Sequence, residues 1–336
     1  MIVRVAINGF GRIGRMVFRL AAEDPAVEIV AINDRSSIST LAYLLKYDSL
    51  HGRYPGVVRA EDGCLVVDGK TIPVSADSNP SNLPWKDLEV DCVVECTGAF
   101  RTGKLASQHI AAGAKKVLVS APCRTDDGSE PVKSIVMGIN EHTIDKNKDL
   151  VLSNASCTTN CAAPIFKVLN DNFKVLRGYL TTVHAYTADQ RLVDGPHKDP
   201  RRGRSAAFNL VPTTTGAAKA VTEIIPELKG EIDGIAIRAP VADGSFTDIT
   251  VEVAEDVAAE QIKDLFRSVS ENHLKHVLEY TEDPIVSSDI IGNRNSVIVD
   301  GSMIKVVNKR LVKVFGWYDN EWGYSARMID VIKLMF

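Results

Sequence analysis

A cysteine at a predicted strand-to-helix junction is the first residue whose surroundings indicate chemistry. Residues 153–161 (Ser-Asn-Ala-Ser-Cys-Thr-Thr-Asn-Cys) follow an apolar run at 150–152 and precede apolar residues with helical spacing. The pattern places Cys157 near a helix N-terminus, where unpaired N–H groups and the helix dipole favour a thiolate. Because the thiolate is the nucleophilic form, the position predicts covalent catalysis. A small buried side chain is the alternative, and Cys161, one turn later, is interpreted as structural.

A nucleophilic thiolate needs a base or an ion-pair partner, and His184 is the best candidate among seven histidines. It lies in residues 178–187, whose alternating pattern is typical of a half-exposed strand. An imidazole there could hold the thiolate as an ion pair and move a proton. A hydrogen-bonded structural histidine is the alternative that the residues alone leave open.

Candidate oxyanion-binding groups occur on both sides of His184 in the chain. Ser156 and Thr158 flank the cysteine, and residues 213–216 (Thr-Thr-Thr-Gly) precede another predicted helix start. Hydroxyls and free N–H groups at such positions bind phosphate, although N-capping is the alternative. Arg202 and Arg238 could bind phosphate through paired hydrogen bonds, with internal salt bridges as the alternative.

A second kind of chemistry is indicated near the start of the chain. Residues 8–14 (Asn-Gly-Phe-Gly-Arg-Ile-Gly) match the G-x-G-x-x-G pattern between a predicted strand and a predicted helix. Asp34 follows the last glycine by 20 residues, as in dinucleotide-binding turns. In such turns the glycines let the backbone approach a pyrophosphate at the helix N-terminus. An ordinary glycine turn is the alternative.

The acidic residue after the second strand bears on the choice of dinucleotide. Asp34 is expected to accept hydrogen bonds from a ribose 2′-hydroxyl and to repel a 2′-phosphate, unless it only caps the following segment. Arg35 could pair with a 2′-phosphate. The sequence therefore favours NAD and leaves use of NADP open.

Together these residues define a reaction class. A thiolate attacks an aldehyde to give a thiohemiacetal, a nicotinamide cofactor takes the hydride, and the resulting thioester is resolved by inorganic phosphate held beside it. The residues thus predict a cysteine-dependent aldehyde dehydrogenase that acts on a phosphorylated substrate.

The elements that must position these groups fall into two patterns. The first half alternates strands and helices, including a hairpin at 64–74, a helix over 104–112 and a strand over 135–139. This predicts an α/β, doubly wound, mostly parallel Rossmann sheet. Its carboxyl strand ends would carry Gly9, Asp34, Thr97, Ser120 and Cys157, at the edge where such sheets bind ligands.

The second half predicts an α+β domain with a largely antiparallel sheet. We expect an NAD(P)-binding Rossmann domain at 1–156, completed by the C-terminal helix at 320–336. We expect a catalytic and tetramerisation domain at 157–319. A long polar segment at 189–204 is expected to be functional, because structureless loops of that length are rare in compact domains.

Composition limits the other function classes. The 336 residues are 45% hydrophobic and carry a net charge of −4, which gives no global attraction to nucleic acid or anionic membrane. No apolar stretch approaches the length of a membrane helix, and the chain begins as a strand. Six cysteines lack secreted or zinc-site spacing. We therefore expect a soluble cytoplasmic protein without a bound metal.

Five motifs, in order, carry a resemblance to a known family. They are residues 8–15, 156–164, 184–187, 212–218 and 317–324. Over essentially its full length the sequence resembles the phosphorylating glyceraldehyde-3-phosphate dehydrogenases, and the Ser-Cys-Thr-Thr-Asn-Cys stretch is highly specific. The resemblance implies oxidation of D-glyceraldehyde 3-phosphate to 1,3-bisphosphoglycerate with NAD and inorganic phosphate, on a homotetramer.

The resemblance also implies a role for each site residue. Cys157 would be the nucleophile and His184 its base and activator. The substrate's C3 phosphate would bind Thr187 and Arg238, with Arg202 nearby, and inorganic phosphate would bind Ser156, Thr158, Thr215 and Gly216. Asn320 would hold the nicotinamide carboxamide, beside Tyr324. The remaining predicted cofactor contacts are Asn8, Gly9, Phe10, Gly11, Arg12, Ile13, Gly14, Asp34, Arg35, Thr97, Gly98 and Ser120.

The loop at 189–204 resembles the family's S-shaped loop, which lies at the core of the tetramer beside a neighbour's cofactor. That role accounts for its charges better than a nucleic-acid patch does.

Departures from the family pattern lie near the adenosine end of the cofactor. Residues 195–196 are Gly-Pro, where NAD-preferring members often carry Leu-Pro and photosynthetic NADP-using members Ala-Ser. Ser78 replaces a common arginine, and Arg35 replaces an apolar residue or threonine. A close relative, erythrose-4-phosphate dehydrogenase, remains the alternative enzyme. A binding or assembly role without catalysis is the alternative of another class, disfavoured because every expected catalytic position is filled.

Overall fold

The computed structural model describes residues 2–336, and their contacts divide the chain into two units. The first unit contains the residues up to Ile135, then Asn140–Ala155 and Ser325–Phe336. The second contains Val136–Ile139 and Ser156–Tyr324. The functional domain limits expected from the sequence, 1–156 with 320–336 and 157–319, remain a prediction.

The first unit alternates strands with helices. Its elements are β1 (Val3–Asn8), α1 (Arg12–Ala21), β2 (Val27–Asn33), α2 (Ile38–Lys46), β3 (Val58–Glu61), β4 (Cys64–Val67), β5 (Lys70–Ser75), β6 (Cys92–Glu95), α3 (Gly103–Ala106), α4 (Gln108–Ala111), β7 (Lys116–Val119), β8 (Lys133–Ser134) and β9 (Val151–Ser153). They form a nine-stranded sheet in the order β3-β4-β5-β2-β1-β6-β7-β9-β8. From β5 to β8 every neighbouring pair is parallel. The doubly wound Rossmann prediction is thus confirmed.

The central strands are buried on both faces, which explains their continuous apolar sequence. Ala6 of β1, Val93 of β6 and Val117 of β7 belong to one core cluster. Trp85, also in that cluster, is completely buried, and its indole nitrogen donates to His109 Nδ1 at 3.0 Å. This rigid core fixes the strand ends at which the cofactor-binding residues were predicted.

Two secondary-structure predictions for the first half of the chain are wrong in detail. The helix expected over 104–112 is two short helices, separated at Ser107, whose hydroxyl bonds the Gly103 carbonyl at 2.7 Å. The strand expected over 135–139 is mostly a turn, because Gly138 has a φ of +81° that is incompatible with an extended strand. Only Lys133–Ser134, just before it, pairs in the sheet.

The second unit is built on one long helix and an eight-stranded sheet. Its elements are α5 (Cys157–Phe173), β10 (Val175–Ala185), β11 (Val211–Thr214), α6 (Ala217–Ile224), β12 (Ile232–Ala239), β13 (Ser245–Val253), α7 (Ala259–Glu271), β14 (Leu278–Thr281), β15 (Val297–Asp300), β16 (Lys305–Val307), β17 (Leu311–Tyr318) and the first residues of α8 (Trp322–Met335). The order is β11-β12-β10-β13-β17-β15-β14, with β16 on β17. Five pairs are antiparallel and two parallel, so the largely antiparallel prediction is confirmed.

Helix α5 packs closely on this sheet. A Cβ at Gly316 of β17 would lie 2.7 Å from Ile165 Cδ1 and 3.2 Å from Cys161 Sγ. Cys161 is fully buried, and its sulfur lies 3.3 Å from Thr247 Oγ1. The close contact between helix and sheet holds the start of α5 at a fixed position over β10.

The segment at 189–204 contains neither helix nor strand. Its charges pair internally: Arg202 Nη1 lies 2.7 Å from Asp189, and Arg204 Nε lies 2.9 Å from Asp194. These ion pairs hold an otherwise irregular loop in a defined path. Across residues 2–336, none of the helices has the length and apolar character needed to cross a lipid bilayer.

Candidate active site

The glycine turn of the first unit forms a close-packed cradle. Gly9 has a φ of +93°, and a Cβ there would lie 2.8 Å from Thr97 N. At Gly14 a Cβ would lie 2.2 Å from the Gly9 carbonyl. Gly11, the N-cap of α1, has no atom within 4 Å of its Cβ position. Two glycines therefore permit close packing, and the third leaves space before the helix N-terminus, which fits a dinucleotide pyrophosphate.

Two alanine substitutions should separate packing from binding in this turn. We expect Gly14→Ala to destabilise the protein by about 3 kcal/mol, because the methyl group meets backbone that cannot yield easily. Gly11→Ala should cost less than about 1 kcal/mol of stability. It should weaken NAD binding by about tenfold or more, since its methyl group fills the space before the helix. Chemical denaturation and calorimetric titration with NAD measure the two effects, and equal stability of both variants would contradict this account.

Asp34 lies directly after β2, at the ribose position of the dinucleotide motif. One carboxylate oxygen accepts from Phe10 N and the other from Ser36 N, both at 2.8 Å. Burial opposes ionisation, but hydrogen bonds from Ser36 and Phe10 and the charge of Arg35 lower the pKa of Asp34 below its usual value. The carboxylate keeps free lone pairs for a ribose hydroxyl. Arg35 is exposed.

Replacing the carboxylate should change cofactor preference. In Asp34→Ser we expect kcat/KM with NADP to rise and kcat/KM with NAD to fall. The ratio of the two values should change on the order of 100-fold, because the variant loses one charged hydrogen bond to the ribose and one charge repulsion of the 2′-phosphate. Initial rates with both cofactors measure this ratio. The double variant Asp34→Ser/Arg35→Ala should lose most of the gain with NADP. An unchanged ratio in the single variant would show that the ribose binds elsewhere.

Several other predicted cofactor residues have structural partners of their own. The Asn8 side chain is buried between Glu95 Oε2 and Asn33 Nδ2, and Arg12 forms a salt bridge with Asp48. Thr97 N donates to Glu95 Oε1 at 2.7 Å. Thr97, Gly98 and Ser120 follow β6 and β7, at the carboxyl ends of these strands, as expected. Ile13 lies in the first turn of α1.

Glu95 is a residue that sequence reasoning missed. It is the last residue of β6, it is completely buried, and it also faces His109 Nε2 at 3.2 Å. Its carboxylate accepts from Asn8 and Thr97, the two residues that flank the glycine turn on neighbouring strands. Glu95 therefore stabilises the geometry of the turn. An acid inside an otherwise apolar strand was the available signal.

In the second unit the structure brings Cys157 and His184 together. Cys157 is the first residue of α5, after the N-cap Ser156, whose hydroxyl accepts from Thr159 N at 3.0 Å. His184 lies near the end of β10, and its Nε2 is 3.4 Å from Cys157 Sγ. This is the nucleophile–base geometry of covalent catalysis. Strand β10 and helix α5 thus position the two side chains predicted from the sequence.

The other ring nitrogen of His184 has two neighbours. Nδ1 lies 2.7 Å from the Ala185 carbonyl and within hydrogen-bonding distance of Arg238 Nη1 on β12. The same Nη1 lies 3.2 Å from the Ala185 carbonyl. No carboxylate in residues 2–336 forms a salt bridge with Arg238, and its buried Nε has no hydrogen-bond partner. Among these residues Arg238 thus lacks a salt-bridge partner, as expected of an anion-binding arginine.

Burial sets the protonation of the pair. It raises the pKa of Cys157, and the charge of Arg238 reverses only part of that shift. Burial and then the charge of Arg238 lower the pKa of His184 to about 3. The expectation of a lowered thiol pKa is therefore not met in this arrangement, because desolvation outweighs the helix N-terminus. Both shifts favour the uncharged forms of the two side chains.

Tyr318 was quoted in a motif but given no role. Its hydroxyl, fully buried at the end of β17, contacts Thr158 Oγ1 at 2.9 Å and Thr182 Oγ1 at 2.8 Å. Its ring meets that of His184 edge-on, with centroids 5.9 Å apart. Burial raises the pKa of Tyr318 well above its usual value, so it stays neutral. Tyr318 therefore orients His184 and engages the hydroxyl of Thr158.

The remaining predicted phosphate ligands differ in their positions on the elements and in their hydrogen-bond partners. Gly216 is the N-cap of α6, and Thr215 Oγ1 accepts from Ala217 N at 3.1 Å, so this hydroxyl caps the helix. Arg202 bonds Asp189 and Thr213 Oγ1. Thr187 lies two residues beyond the end of β10. Of the two arginines, Arg238 is therefore the one without a carboxylate partner.

The predicted nicotinamide contacts are linked to the same strand. Asn320 is buried, and its Oδ1 accepts from Ser245 Oγ at 2.6 Å, while Ser245 Oγ accepts from Ala185 N at 3.0 Å. This chain of bonds connects Asn320 to the residue after His184. Tyr324 is also buried, in the first turn of α8.

A Rossmann unit with an open glycine turn is typical of dinucleotide-dependent enzymes, and a cysteine–histidine pair at a helix start is typical of enzymes with a thiol nucleophile. Residues 3–103 match the glyceraldehyde 3-phosphate dehydrogenase NAD binding domain, and residues 156–320 match its C-terminal domain. The chain belongs to the glyceraldehyde-3-phosphate dehydrogenase family and is an NAD-binding oxidoreductase.

Curated relatives agree with this assignment over nearly the whole chain. The chain is 52% identical to glyceraldehyde-3-phosphate dehydrogenase 2 of Streptomyces avermitilis over 332 residues, covering 98% of each protein. It is 49% identical to glyceraldehyde-3-phosphate dehydrogenase of Geobacillus stearothermophilus, covering 98% of this chain and 97% of the relative. Glyceraldehyde-3-phosphate dehydrogenase 2 of Bacillus subtilis is 47% identical over 333 residues.

Proposed function

We propose that this chain oxidises D-glyceraldehyde 3-phosphate to 1,3-bisphosphoglycerate with NAD and inorganic phosphate. The observation that carries the proposal is the 3.4 Å contact between Cys157 Sγ and His184 Nε2 at the start of α5. Family membership over both halves of the chain supports the same substrate and cofactor.

The chain's own residues account for the covalent steps. Cys157 gives its proton to His184 Nε2, and its sulfur bonds to the aldehyde carbon as the carbonyl π bond breaks. His184 then returns the proton to the new alkoxide, which completes the thiohemiacetal and leaves Nε2 free. His184 Nε2 then accepts the hydroxyl proton as the carbon is oxidised to a thioester. The bound nicotinamide supplies one piece of chemistry, the acceptance of a hydride. The glycine turn and Asp34 would hold the cofactor's pyrophosphate and ribose.

Two oxyanion sites would distinguish the substrate's phosphate from inorganic phosphate. Arg238, with Thr187 and more distantly Arg202, would bind the C3 phosphate, because Arg238 has a charge without a carboxylate partner. Ser156, Thr158, Thr215 and Gly216 would bind the phosphate that resolves the thioester. That phosphate attacks the thioester carbonyl, the carbon–sulfur bond breaks, and Cys157 regains a proton from His184.

The test is NADH formation from glyceraldehyde 3-phosphate with and without phosphate or arsenate. We expect turnover that depends on one of these anions. Aldehyde oxidation that is equally fast without either would remove the proposal. Comparing kcat/KM for erythrose 4-phosphate tests the alternative substrate, and a large preference for that four-carbon sugar would replace ours.

We also propose that the active form is a homotetramer. One face of the second unit's sheet carries half-exposed aromatic rings. The rings of Phe246 and Trp317 have centroids 5.0 Å apart and planes tilted by 55°. Leu192 and Val193 on the 189–204 loop are 72% exposed, and Phe208 is 86% exposed. Apolar exposure of this extent is typical of subunit interfaces. Light scattering should give four times the 36.6 kDa of one chain, and a monomer would contradict the proposal.

The cytoplasm is the compartment that we propose for this reaction. All six cysteines are free, and the mechanism requires Cys157 to stay reduced. Reducing compartments preserve such thiols. Cell fractionation with an antibody against the chain would test the placement, and recovery outside the cytoplasm would overturn it.

A further inference from the structure

The side-chain amide of Asn320 has two chemically different ends. Its oxygen accepts hydrogen bonds and its nitrogen donates two, and half a turn about the last side-chain bond exchanges them. Asn320 is the residue predicted to contact the carboxamide of the nicotinamide. The end of the amide that faces away from its protein partner therefore determines whether Asn320 donates a hydrogen bond to the cofactor or accepts one from it.

The backbone around Asn320 is held by its neighbour Asp319, which is buried. One carboxylate oxygen of Asp319 accepts from Glu321 N at 2.9 Å and from Trp322 N at 2.7 Å. The other oxygen accepts from Gly292 N at 2.7 Å. These three bonds fix the turn before α8, so rotation of the amide is the freedom that Asn320 retains.

Ser245, the first residue of β13, restricts that rotation. Its side chain is completely buried, and its hydroxyl oxygen accepts from Ala185 N at 3.0 Å. A backbone N–H can only donate, so the hydroxyl still has its own hydrogen to place. The other partner of the hydroxyl is the Asn320 amide, at 2.6 Å. Because only the oxygen end of the amide can accept that hydrogen, Oδ1 must face Ser245.

The length of this contact supports the same orientation. Hydrogen bonds between two oxygens typically span about 2.5–3.0 Å, whereas those from nitrogen to oxygen span about 2.7–3.2 Å. The 2.6 Å contact fits the first class. With the amide reversed, the buried hydroxyl hydrogen would have no acceptor, which is costly. Asn320 Nδ2 thus points away from Ser245, and within residues 2–336 it forms no hydrogen bond.

We propose that Ser245 is a positioning residue, which holds the Asn320 amide with its nitrogen directed to the cofactor. Asn320 then donates to the carbonyl oxygen of the nicotinamide carboxamide. The inference rests on the proposed function, in which NAD is the cofactor. An amide that is fixed in advance loses less rotational freedom on binding, and it cannot turn its oxygen against that of the carboxamide.

A purely structural role for Ser245 makes a different prediction. Removing its hydroxyl also leaves Ala185 N without its partner, so a substitution could weaken NAD binding through the strand alone. In that case the effects of changing Ser245 and Asn320 would multiply. If Ser245 acts by orienting the amide, its effect should vanish once the amide has been removed. A double-mutant cycle separates the two roles.

The test is calorimetric titration of the full-length protein with NAD. We expect Ser245→Ala to weaken binding about fivefold and Asn320→Ala about tenfold, with the double variant equal to Asn320→Ala. Thr247→Val is the matched control, because it also removes a fully buried hydroxyl from β13, one whose partners are Cys161 and the Gly316 carbonyl. This control should bind NAD as the unmodified protein does.

Multiplying effects in the double variant would overturn the inference. Should Ser245→Ala fail to fold, the unmodified protein is titrated with the NAD analogue in which an acetyl group replaces the carboxamide. That group keeps the carbonyl oxygen but has no hydrogen to donate, so we expect binding within about fivefold of that of NAD. Weaker binding of the analogue would mean that Asn320 presents its oxygen.

These measurements also keep the inference separate from the proposed function. Phosphate-dependent NADH formation together with multiplying effects, or with weak binding of the analogue, removes only the role of Ser245. Failure of the unmodified protein to bind NAD would remove the proposed function as well.

Discussion

Cys157→Ser should reduce kcat for glyceraldehyde 3-phosphate oxidation by about 10⁴ or more, with the fold and NAD binding retained. Serine keeps the N-terminal position on α5, but its hydroxyl is a far weaker nucleophile and cannot form a thioester. Stopped-flow measurement of NADH should show no burst, and intact mass spectrometry should detect no acyl adduct.

Cys161→Ser is the matched control for that substitution. Cys161 lies on the same helix, fully buried, with its sulfur 3.3 Å from Thr247 Oγ1 and 3.5 Å from the Gly316 carbonyl. A serine hydroxyl can use the same partners, so we expect near-normal kcat. A burst of NADH in Cys157→Ser, or its loss in Cys161→Ser only, would mean that the wrong thiol has been assigned.

The proposed catalytic pair, Cys157 and His184, was predictable because its sequence signals are local. A strand, a tight turn and a helix starting at Cys157 can be recognised within a short stretch, and so can the alternating strand that carries His184. The glycine turn before α1 is equally local. What the sequence could not give is the 3.4 Å distance between the two side chains, which depends on packing of α5 against β10.

The two site residues that the sequence analysis missed have partners far away in the chain. Tyr318 bonds Thr158 from 160 residues away, and Glu95 bonds Asn8 from 87 residues away, so neither partner can be recognised from neighbouring residues.

The strand expected over 135–139 was predicted wrongly because an apolar run looks the same in a buried turn as in a buried strand. Gly138, with its positive φ, was the local sign of a turn.

The pKa of Cys157 cannot be inferred from its position at a helix N-terminus alone. A helix N-terminus lowers the pKa of a cysteine, but Cys157 is also desolvated, and desolvation is the larger effect. A sequence pattern can indicate where a helix starts, but it does not show how far the Cys157 side chain is removed from water. Activation of this thiol therefore depends on His184, whose Nε2 lies 3.4 Å from Sγ.

His184→Asn should lower kcat/KM by on the order of 10³, the usual contribution of a positioned acid–base group. Asparagine fits the site but cannot accept the proton of Cys157 or of the thiohemiacetal hydroxyl. Since both proton transfers precede or accompany oxidation, the burst of NADH should slow as much as steady turnover does. Rapid-mixing kinetics give both rates, and His142→Asn, an exposed histidine of the first unit, is the control.

The burst rate of His184→Asn decides whether His184 is the base. A burst of NADH that keeps its full rate in this variant would mean that another group accepts the proton of the thiohemiacetal hydroxyl, and His184 would then only hold Cys157 in position.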